Sequence, residues 1–327
     1  MRALLIVNPR ATTTTPRVRD VLARALESEV KLDLAETDHR GHAIDLARQA
    51  ARDGMDVVVC LGGDGTVNEV VNGLLADGPG TDVPALAIVP AGSTNVAARN
   101  LGLSRDPVEA TGEIVSALRA GSARLIGLGR LDQRWFTFNA GMGFDAEVIR
   151  RVEQRRRRGA PATGGLVVRS AFRQFLTDTE RRHAPLVLTR PGSEPVAGVF
   201  AALVSNSAPW SYLGDRPVNA SPAASFDAGL DVLALRRMRL AGTLHTAAGM
   251  LRAGGAGPGT RRARAGEGDD GVRQPFRFLQ LHDQAEVRLA ADRPMAVQVD
   301  GDYLGERQSV LLVAVPDALR VVLPADA

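Results

Sequence analysis

The residues best suited to chemistry in this chain are the run Gly62–Gly65, which reads Gly-Gly-Asp-Gly and directly follows the apolar segment Val57–Leu61. Glycines permit a backbone with positive φ and let peptide N–H groups approach a polyanion, and a helix N-terminus favours negative charge. The residues after Thr66 have a helical pattern, so a phosphate group fits this turn. Asp64 would repel bare phosphate, which predicts a divalent cation between the two. The run therefore predicts a metal–nucleotide site.

On its own, a glycine turn is weak evidence, because an ordinary tight connection between a strand and a helix is an alternative explanation. Two further loops favour the phosphate interpretation. Pro90–Asn95 follows another apolar segment with Pro, Gly and small polar side chains, and Asn8 follows the first apolar segment, Ala3–Val7, ahead of the run Thr12–Thr15. Ligands of open α/β sheets gather where strands end, so three such loops can converge on one nucleotide.

Taken together, these motifs resemble those of the diacylglycerol kinase catalytic-domain family, which includes bacterial lipid kinases and sphingosine kinases. Asn139–Asp145 and Asp300–Asp302 occur in the same order and at similar spacing. The resemblance implies an N-terminal α/β domain, phosphofructokinase-like and NAD-kinase-like, and a β-rich, sandwich-like C-terminal domain. It implies a lipid kinase that uses ATP and Mg²⁺. By matching motif positions, the implied nucleotide-binding residues are Asn8, Thr37, Gly62, Gly63, Asp64, Gly65, Thr66, Val67, Asn68, Glu69, Gly92, Ser93, Thr94 and Asn95.

Asp300-Gly301-Asp302 has two interpretations. Asp-Gly is a common pair in hairpin turns. By the resemblance, Asp300 is instead the general base that takes the proton of a lipid hydroxyl as it attacks the γ-phosphate. Asp302 stands where the family has glutamate, and Val96 stands where lipid kinases commonly have an acid after Asn95.

The segment Ser225–Asp231 resembles one in which the family holds Mg²⁺ with a carboxylate and backbone carbonyls. This implies Asp227 as the side-chain ligand, with Ala224 and Gly229 as carbonyl donors. Magnesium keeps several waters, so one ligating aspartate is sufficient. The alternative is a plain loop that enters a strand over Gly229–Leu235. His39 and His42 lie close to the predicted nucleotide site and are interpreted as surface residues.

The pattern of apolar residues predicts two domains. Strands alternate with helices through about the first 120 residues, as βα units do, and short period-two strands follow. With the resemblance, this places a nucleotide-binding α/β domain at 1–124, joined by 317–327, and a β-rich domain for lipid and metal at 125–316. Helices are predicted at Val67–Leu75 and Met238–Ala253, and a mobile insertion at Gly254–Gly271. Strands are predicted at Arg134–Asn139, Glu286–Ala290, Met295–Val299, Val310–Val315 and Leu319–Leu323.

Composition fits a globular enzyme. The chain has 327 residues with 45% hydrophobic content, and it contains no apolar run of about 20 residues that could cross a bilayer. The N-terminus begins with a strand rather than a leader, and Cys60 is the only cysteine, so an intrachain disulfide is excluded and a cytoplasmic location is predicted. Lys31 is the only lysine. No Walker-type lysine is therefore available, and backbone amides, hydroxyls, arginine and metal must hold the phosphates.

The arginine-rich segment Arg150–Arg158 has three interpretations. It can contact the anionic surface of the inner membrane peripherally, or it can be a solvated charged face. Nucleic acid ranks last, because few aromatic residues lie nearby to stack on bases. The oligomeric state is left open, with a homodimer as one alternative.

The lipid acceptor is also left open between diacylglycerol, a sphingoid base and another glycerolipid. An apolar face formed by Val167, Val168, Ala171, Phe172 and Phe175 is a candidate for its acyl chains. Two other functions remain as alternatives. One is an NAD kinase, which shares the Gly-Gly-Asp-Gly turn, and the other is a nucleotide-binding regulatory protein without turnover.

Overall fold

The structure, a computed structural model, describes residues 1–143, 184–236 and 278–325. The arginine segment Arg150–Arg158, the apolar face at 167–175, and the predicted helix and insertion between 238 and 271 lie outside these residues. The chain divides into two compact units. Unit 1 comprises Met1–Leu128 and Pro316–Ala327, and unit 2 comprises Gly129–Val315.

Unit 1 contains a parallel sheet with helices in the connections. Its strands lie in the order β2-β1-β3-β4, and the final strand of the chain adds Val321, which pairs in parallel with Leu86 of β4. Every residue of β3 and β4 is buried, as expected for central strands covered on both faces. The elements are β1 (Arg2–Val7), α1 (Pro16–Glu27), β2 (Lys31–Glu36), α2 (His42–Arg52), β3 (Val57–Gly62), α3 (Asp64–Leu74), β4 (Ala85–Pro90), α4 (Val96–Asn100) and α5 (Pro107–Ala120).

The helix ends of unit 1 follow from local sequence. Thr15 caps α1, its Oγ1 accepting from the backbone N of Val18 at 3.2 Å. Asp106 caps α5 in the same way, with Pro107 in the first helical position and Gly121 left-handed at the end. The stripe Leu22 and Leu26 of α1 is buried in the core of the sheet.

Helix α3 begins at Asp64, three residues before the predicted start at Val67. The prediction was late because glycines argue against a helix interior, whereas here they occupy its cap and first turn. Farther along, α3 packs closely on α2. A Cβ added at Gly73 would lie 2.3 Å from the backbone oxygen of Ile44, so only glycine permits this approach.

Unit 2 is made of antiparallel strands. Six of them lie in the order β14-β13-β10-β7-β15-β16, while β8 pairs with β15 and β9, and β11 and β12 form a separate pair. One core of buried Leu, Val, Ala, Phe and Met side chains lies against these strands. The remaining elements of the chain are β5 (Ala123–Leu131), β6 (Arg134–Phe136), β7 (Asn139–Gly143), β8 (Leu186–Thr189), β9 (Val196–Val199), β10 (Ala201–Ser205), β11 (Ser211–Leu213), β12 (Arg216–Val218), β13 (Leu230–Leu235), β14 (Phe278–Gln284), β15 (Glu286–Val299) and β16 (Asp302–Val322).

Two pairs of predicted strands are each a single strand in the structure. Glu286–Ala290 and Met295–Val299 form one strand, β15, with a register shift between Ala290 and Met295. Pro294, which has no N–H for the ladder, lies inside that shift. The predicted strands Val310–Val315 and Leu319–Leu323 join through Pro316 in the long strand β16. Within the described residues, no helix is long and apolar enough to span a membrane.

Candidate functional site

The three loops predicted to bind phosphate lie together at the carboxyl ends of β1, β3 and β4. The backbone N of Asn8 donates to the oxygen of Leu61 at 2.9 Å, and that of Ala91 donates to the oxygen of Gly62 at 2.8 Å. The Asn8 side chain also reaches the glycine turn, where its Nδ2 donates to Thr66 Oγ1 at 2.9 Å. Loops that are far apart in sequence therefore hold one another in place.

Gly63 and Gly92 mark the closest approach of two of these loops. A Cβ added at Gly63 would lie 3.0 Å from the Cα of Gly92, and a Cβ added at Gly92 would lie 2.7 Å from the Cα of Gly63. Real Cβ atoms essentially never approach as closely as the distance at Gly92, and the distance at Gly63 is tighter than in most real contacts. Gly92 thus requires glycine, and a side chain at Gly63 would force the neighbouring backbone to shift.

Asp64 and Asn95 shape the loop that precedes α4. Asp64 Oδ1 accepts from the backbone N of Ala97 at 3.1 Å, so this carboxylate caps α4 from a neighbouring element. Asn95 has a left-handed backbone, and its side chain exchanges two hydrogen bonds with Gly92 at 2.8 and 2.9 Å. Val96 is 2% exposed, which explains why an acid is absent there: its charge would be buried.

The predicted nucleotide residues divide into a buried group and a group that faces solvent. Gly62, Thr66, Val67, Asn68 and Asn95 are buried. Asn68 is fully buried, and Asn72 Nδ2 donates to its backbone oxygen at 2.8 Å, so Asn68 supports α3 internally. The remaining residues are exposed or half-buried: Asn8, Thr37, Gly63, Asp64, Gly65, Glu69, Gly92, Ser93 and Thr94.

Glu69 and Thr37 connect the end of β2 to this region. Glu69 Oε1 accepts from the backbone N of Gly41 at 2.9 Å. The backbone N of Thr37 donates to the oxygen of Val7 at 2.8 Å. Glu69 therefore positions the connection between β2 and α2, a role that its place in the motif did not predict.

Cys60 offers a test of this region, since it is the only cysteine of the chain and lies fully buried in β3 just before the glycine turn. Burial raises the pKa of its thiol far above the ordinary value, and the charge of Glu69 acts in the same direction. Because the thiolate is the reactive form, we expect labelling by a thiol reagent only after local or global opening. A nucleotide bound by the adjacent loops should slow labelling further, by about a hundredfold at a hundred times its Kd where the labelled state does not bind it.

The labelling rate of Cys60 is measured, with and without ATP, from the absorbance of the chromophore that the thiol reagent releases when it reacts. Labelling of the unfolded protein in denaturant gives the reference rate for a fully accessible Cys60 thiol. Native labelling at that same rate would contradict the burial of Cys60, and a rate unchanged by saturating ATP would argue against nucleotide binding at these loops.

In unit 2, Asp300 is buried at the tip of the β15–β16 hairpin. Val299 pairs with Asp302, and Asp300 and Gly301 both have positive φ, 47° and 81°, as a type I′ turn requires. The hairpin interpretation is therefore correct for the backbone. The Asp300 side chain, however, points into the protein, with the residue only 5% exposed.

Four donors surround the Asp300 carboxylate. Oδ2 accepts from the backbone N of Thr137 at 2.8 Å and from Thr137 Oγ1 at 2.9 Å, while Oδ1 accepts from the backbone N of Phe138 at 3.0 Å and of Asn139 at 3.1 Å. Such donors favour the charged carboxylate. They also explain why the predicted strand Arg134–Asn139 is interrupted. The N–H groups of Thr137 and Phe138 leave the ladder to bind Asp300.

A row of polar residues extends from Asp300 across the sheet. Asn139, Ser205 and Asp231 are in register on β7, β10 and β13, so their side chains share one face. Gln298 Nε2 donates to Asn139 Oδ1 at 2.9 Å. Ser205 Oγ is buried and has no hydrogen-bond partner among the residues that the structure describes.

Asp231 ends this row in a pair with His282. Its Oδ1 lies 2.6 Å from His282 Nδ1 and accepts from the backbone N of Asp283 at 3.1 Å. Burial raises the pKa of Asp231, and these two contacts partly oppose that shift.

The predicted magnesium residues lie in the turn before β13. Asp227 is exposed, and its backbone N donates to Ser225 Oγ at 3.2 Å. Gly229 donates its N–H to Asp283 Oδ1 at 2.6 Å, while Ala224 is buried. One exposed carboxylate with backbone carbonyls nearby is a donor set that Mg²⁺ accepts. Sequence reasoning did not identify Asp283 or Thr137, both of which contact predicted site residues.

Comparison with known proteins shows what the N-terminal segment is similar to. Residues 2–129 match the sequence model of the diacylglycerol kinase catalytic domain. This segment is similar to the diacylglycerol kinase catalytic domain. The resemblance drawn from the motifs is therefore confirmed, and the glycine turn and the loop at 90–95 lie within the matched residues.

Curated relatives resemble this chain over less than half of its length. A probable YegS-like lipid kinase of Chromohalobacter salexigens is 38% identical over 144 residues, 44% of each chain. A diacylglycerol kinase of Bacillus subtilis is 34% identical over 146 residues, 43% of this chain and 46% of the relative. The matched part of the chain thus spans about half the length of the curated relatives.

Solved structures extend the similarity of fold beyond residues 2–129. A putative diacylglycerol kinase from Bacillus anthracis is similar with a TM-score of 0.74 at 18% identity, covering 99% of this chain and 98% of that one. An NAD kinase from Archaeoglobus fulgidus in complex with ATP has a TM-score of 0.51 at 10% identity, covering 100% and 95%. The predicted fold class, an α/β domain followed by a β-rich one, is confirmed.

Proposed function

We propose that this protein is a lipid kinase that transfers the γ-phosphate of ATP to a hydroxyl of diacylglycerol or a related lipid, with Mg²⁺ as its metal. The observation that carries the proposal is the match of residues 2–129 to the diacylglycerol kinase catalytic domain, with a glycine turn that begins a helix. The curated relatives named as lipid kinases support the acceptor class.

The phosphates would bind at the N-terminus of α3. There the backbone N–H groups of Gly63–Gly65 and the helix dipole favour an anion, which suits a chain with a single lysine. Exposed Ser93 and half-buried Thr94 can add hydroxyl donors from the neighbouring loop. The bound nucleotide supplies the phosphoryl group, and the metal would neutralise its charge.

Magnesium would be held by the carboxylate of Asp227 and the backbone carbonyls of Ala224 and Gly229. Asp283 is an additional carboxylate beside this turn, through its bond to Gly229. Asp64 would face a cation near the phosphates while continuing to cap α4.

Asp300 would act as the general base. Its carboxylate takes the proton from the lipid hydroxyl, the hydroxyl oxygen forms a bond to the γ-phosphorus, and the bond from that phosphorus to the bridging oxygen of ADP breaks. All four lone-pair positions of the carboxylate already accept hydrogen bonds. Three donors are backbone N–H groups and one is the Thr137 hydroxyl, which can rotate. We infer that the lipid hydroxyl takes the place of Thr137 Oγ1 at Oδ2.

The deciding experiment is incubation of the purified protein with γ-labelled ATP, Mg²⁺ and a total lipid extract, beside a parallel reaction with NAD. We expect label in a lipid product, and chromatography then identifies the acceptor. Vesicle binding measured with and without anionic lipid tests peripheral membrane contact through Arg150–Arg158, and sedimentation tests a homodimer.

An NAD kinase is the second candidate, and the similarity of the fold to the Archaeoglobus fulgidus enzyme favours it. Label in NADP without label in any lipid would establish that reaction and overturn the lipid proposal. If ATP binds but no acceptor is labelled, a nucleotide-binding regulatory protein becomes the better explanation.

A further inference from the structure

Three potential metal ligands lie in the connection between β2 and α2. The Asp38 carboxylate and one nitrogen each of His39 and His42 lie within 4.8 Å of one another. His42 Nδ1 is 2.8 Å from Asp38 Oδ1, and His39 Nδ1 contacts the same oxygen. From the sequence, the two histidines are interpreted together as surface residues without metal-ligand partners; in the structure both converge on Asp38.

The two imidazoles are held parallel. Their ring centroids are 4.9 Å apart and their planes differ by 7°. In this arrangement both Nδ1 atoms are turned toward Asp38. A tautomer protonated at Nε2 leaves Nδ1 as a lone-pair donor, which is the form that binds metal.

Two imidazole nitrogens and one carboxylate form a donor set suited to borderline metal ions. Zn²⁺ binds histidine nitrogen and carboxylate oxygen at about 2.0–2.2 Å and can complete its shell with water. Mg²⁺ and Ca²⁺ prefer oxygen ligands alone. We propose that Asp38, His39 and His42 bind a divalent transition-metal ion such as Zn²⁺. This site is separate from the proposed magnesium site and does not depend on the proposed lipid kinase activity.

The backbone preorganises the cluster. Gly41 has φ +91°, a left-handed conformation that other residues adopt with strain, and α2 begins at the next residue, His42. The N–H of Gly41 is bound by Glu69 Oε1 at 2.9 Å, which fixes the connection against α3. The N–H of Asp38 donates to His42 Nδ1 at 3.3 Å. That long bond orients the ring and would be exchanged for the metal.

Charge and exposure set the expected affinity. An aspartate carboxylate has an ordinary pKa of about 4 and is ionised at neutral pH, so Asp38 offers a negative charge to a cation. The side chains of Asp38 and His39 are 73% and 63% exposed, which lets an ion enter from solvent but gives little shielding from water. Arg40, in the same connection, adds a positive charge that opposes a cation. Removal of that charge should therefore tighten binding.

The test uses Co²⁺ as a spectroscopic probe on the full chain, followed by competition with Zn²⁺. We expect one Co²⁺ per chain with visible absorption bands of a nitrogen-ligated ion, which Zn²⁺ then abolishes. His39→Gln and His42→Gln should each weaken binding by more than about tenfold, equivalent to about 1.4 kcal/mol. Arg40→Gln should strengthen it.

A matched control is His282→Gln, which removes an imidazole that is also paired with an aspartate but, within the described part of the chain, does not belong to a cluster of three potential metal ligands. Binding by this variant should equal that of the parent. His39 is exposed, so His39→Gln is expected to fold, and circular dichroism checks it. Absence of Co²⁺ bands and of Zn²⁺ binding heat would overturn the proposal, and so would binding that survives both His39→Gln and His42→Gln.

Discussion

Replacing Asp300 by asparagine is expected to lower the rate of phosphate transfer by about 10²–10⁴-fold, the usual contribution of a positioned general base. Asparagine keeps the shape of the side chain but cannot accept the proton. Its NH₂ group also replaces one acceptor oxygen of Asp300, so that a donor faces donors. Nucleotide affinity should change little, because Asp300 is proposed to contact the lipid hydroxyl and is not one of the predicted nucleotide-binding residues. The rate of phosphate transfer is measured as turnover with the acceptor that the lipid extract identifies. Nucleotide affinity is measured by ATP binding.

The same variant should also lose stability, since four donors lose part or all of their acceptor, at a cost of about 1–3 kcal/mol. Asp132→Asn is a matched control. Asp132 also has positive φ in unit 2, and its Oδ1 accepts a backbone N–H, that of Leu311, at 3.0 Å. Asp132→Asn should lose stability but keep turnover. If both variants lose turnover equally, Asp300 supports the fold rather than the chemistry.

Thr137→Val separates the two roles further. It removes the Thr137 hydroxyl that donates to Asp300 and leaves the backbone donors in place. If the lipid hydroxyl displaces Thr137 Oγ1, this variant should retain much more turnover than Asp300→Asn.

Replacing Gly92 by alanine is expected to abolish most nucleotide binding. The new Cβ would lie 2.7 Å from the Cα of Gly63 and 2.8 Å from Asn95 Oδ1, and backbone on one side cannot move without opening the glycine turn. Overpacking of this kind costs about 1–3 kcal/mol of stability. We expect nucleotide affinity to fall by more than about tenfold, or about 1.4 kcal/mol. Titration with a fluorescent ATP analogue and urea unfolding measure the two effects.

Gly112→Ala is the matched control for this substitution. Gly112 lies inside α5, and nothing lies within 4 Å of a Cβ added there. Alanine should stabilise the helix by roughly 0.5–1 kcal/mol and leave binding unchanged. Nucleotide affinity of Gly92→Ala equal to that of the parent would show that the contact between the two loops does not form the binding site.

The sequence predicted the parts of the site that are local. The loops after β3 and β4 each combine an apolar strand, glycine and small polar side chains within about ten residues, so the positions of these two strands could be predicted. The start of α3 was predicted late because the cap is made by glycines. The pairing of Asp300 with Thr137 spans 163 positions, and no short pattern encodes such a contact.

The cluster of Asp38, His39 and His42 is a different case. All its members lie within one short segment, so spacing could have identified it. What the sequence alone did not supply is the backbone: the left-handed Gly41 places His42 beside Asp38.

The discontinuous make-up of unit 1 bears on how the chain is synthesised. Its core includes Leu319, Val321, Val322 and Leu323, and Val321 pairs with Leu86, yet the whole of unit 2 is translated between β4 and these residues. At about 5–20 residues per second, the ribosome needs roughly 10–40 s to cross that interval. Until then the outer side of β4 lacks its neighbour, a state in which a nascent strand edge is prone to wrong pairing. Chaperones that cover exposed β edges should therefore increase the yield of folded protein more for this chain than for a similar domain formed by one continuous segment.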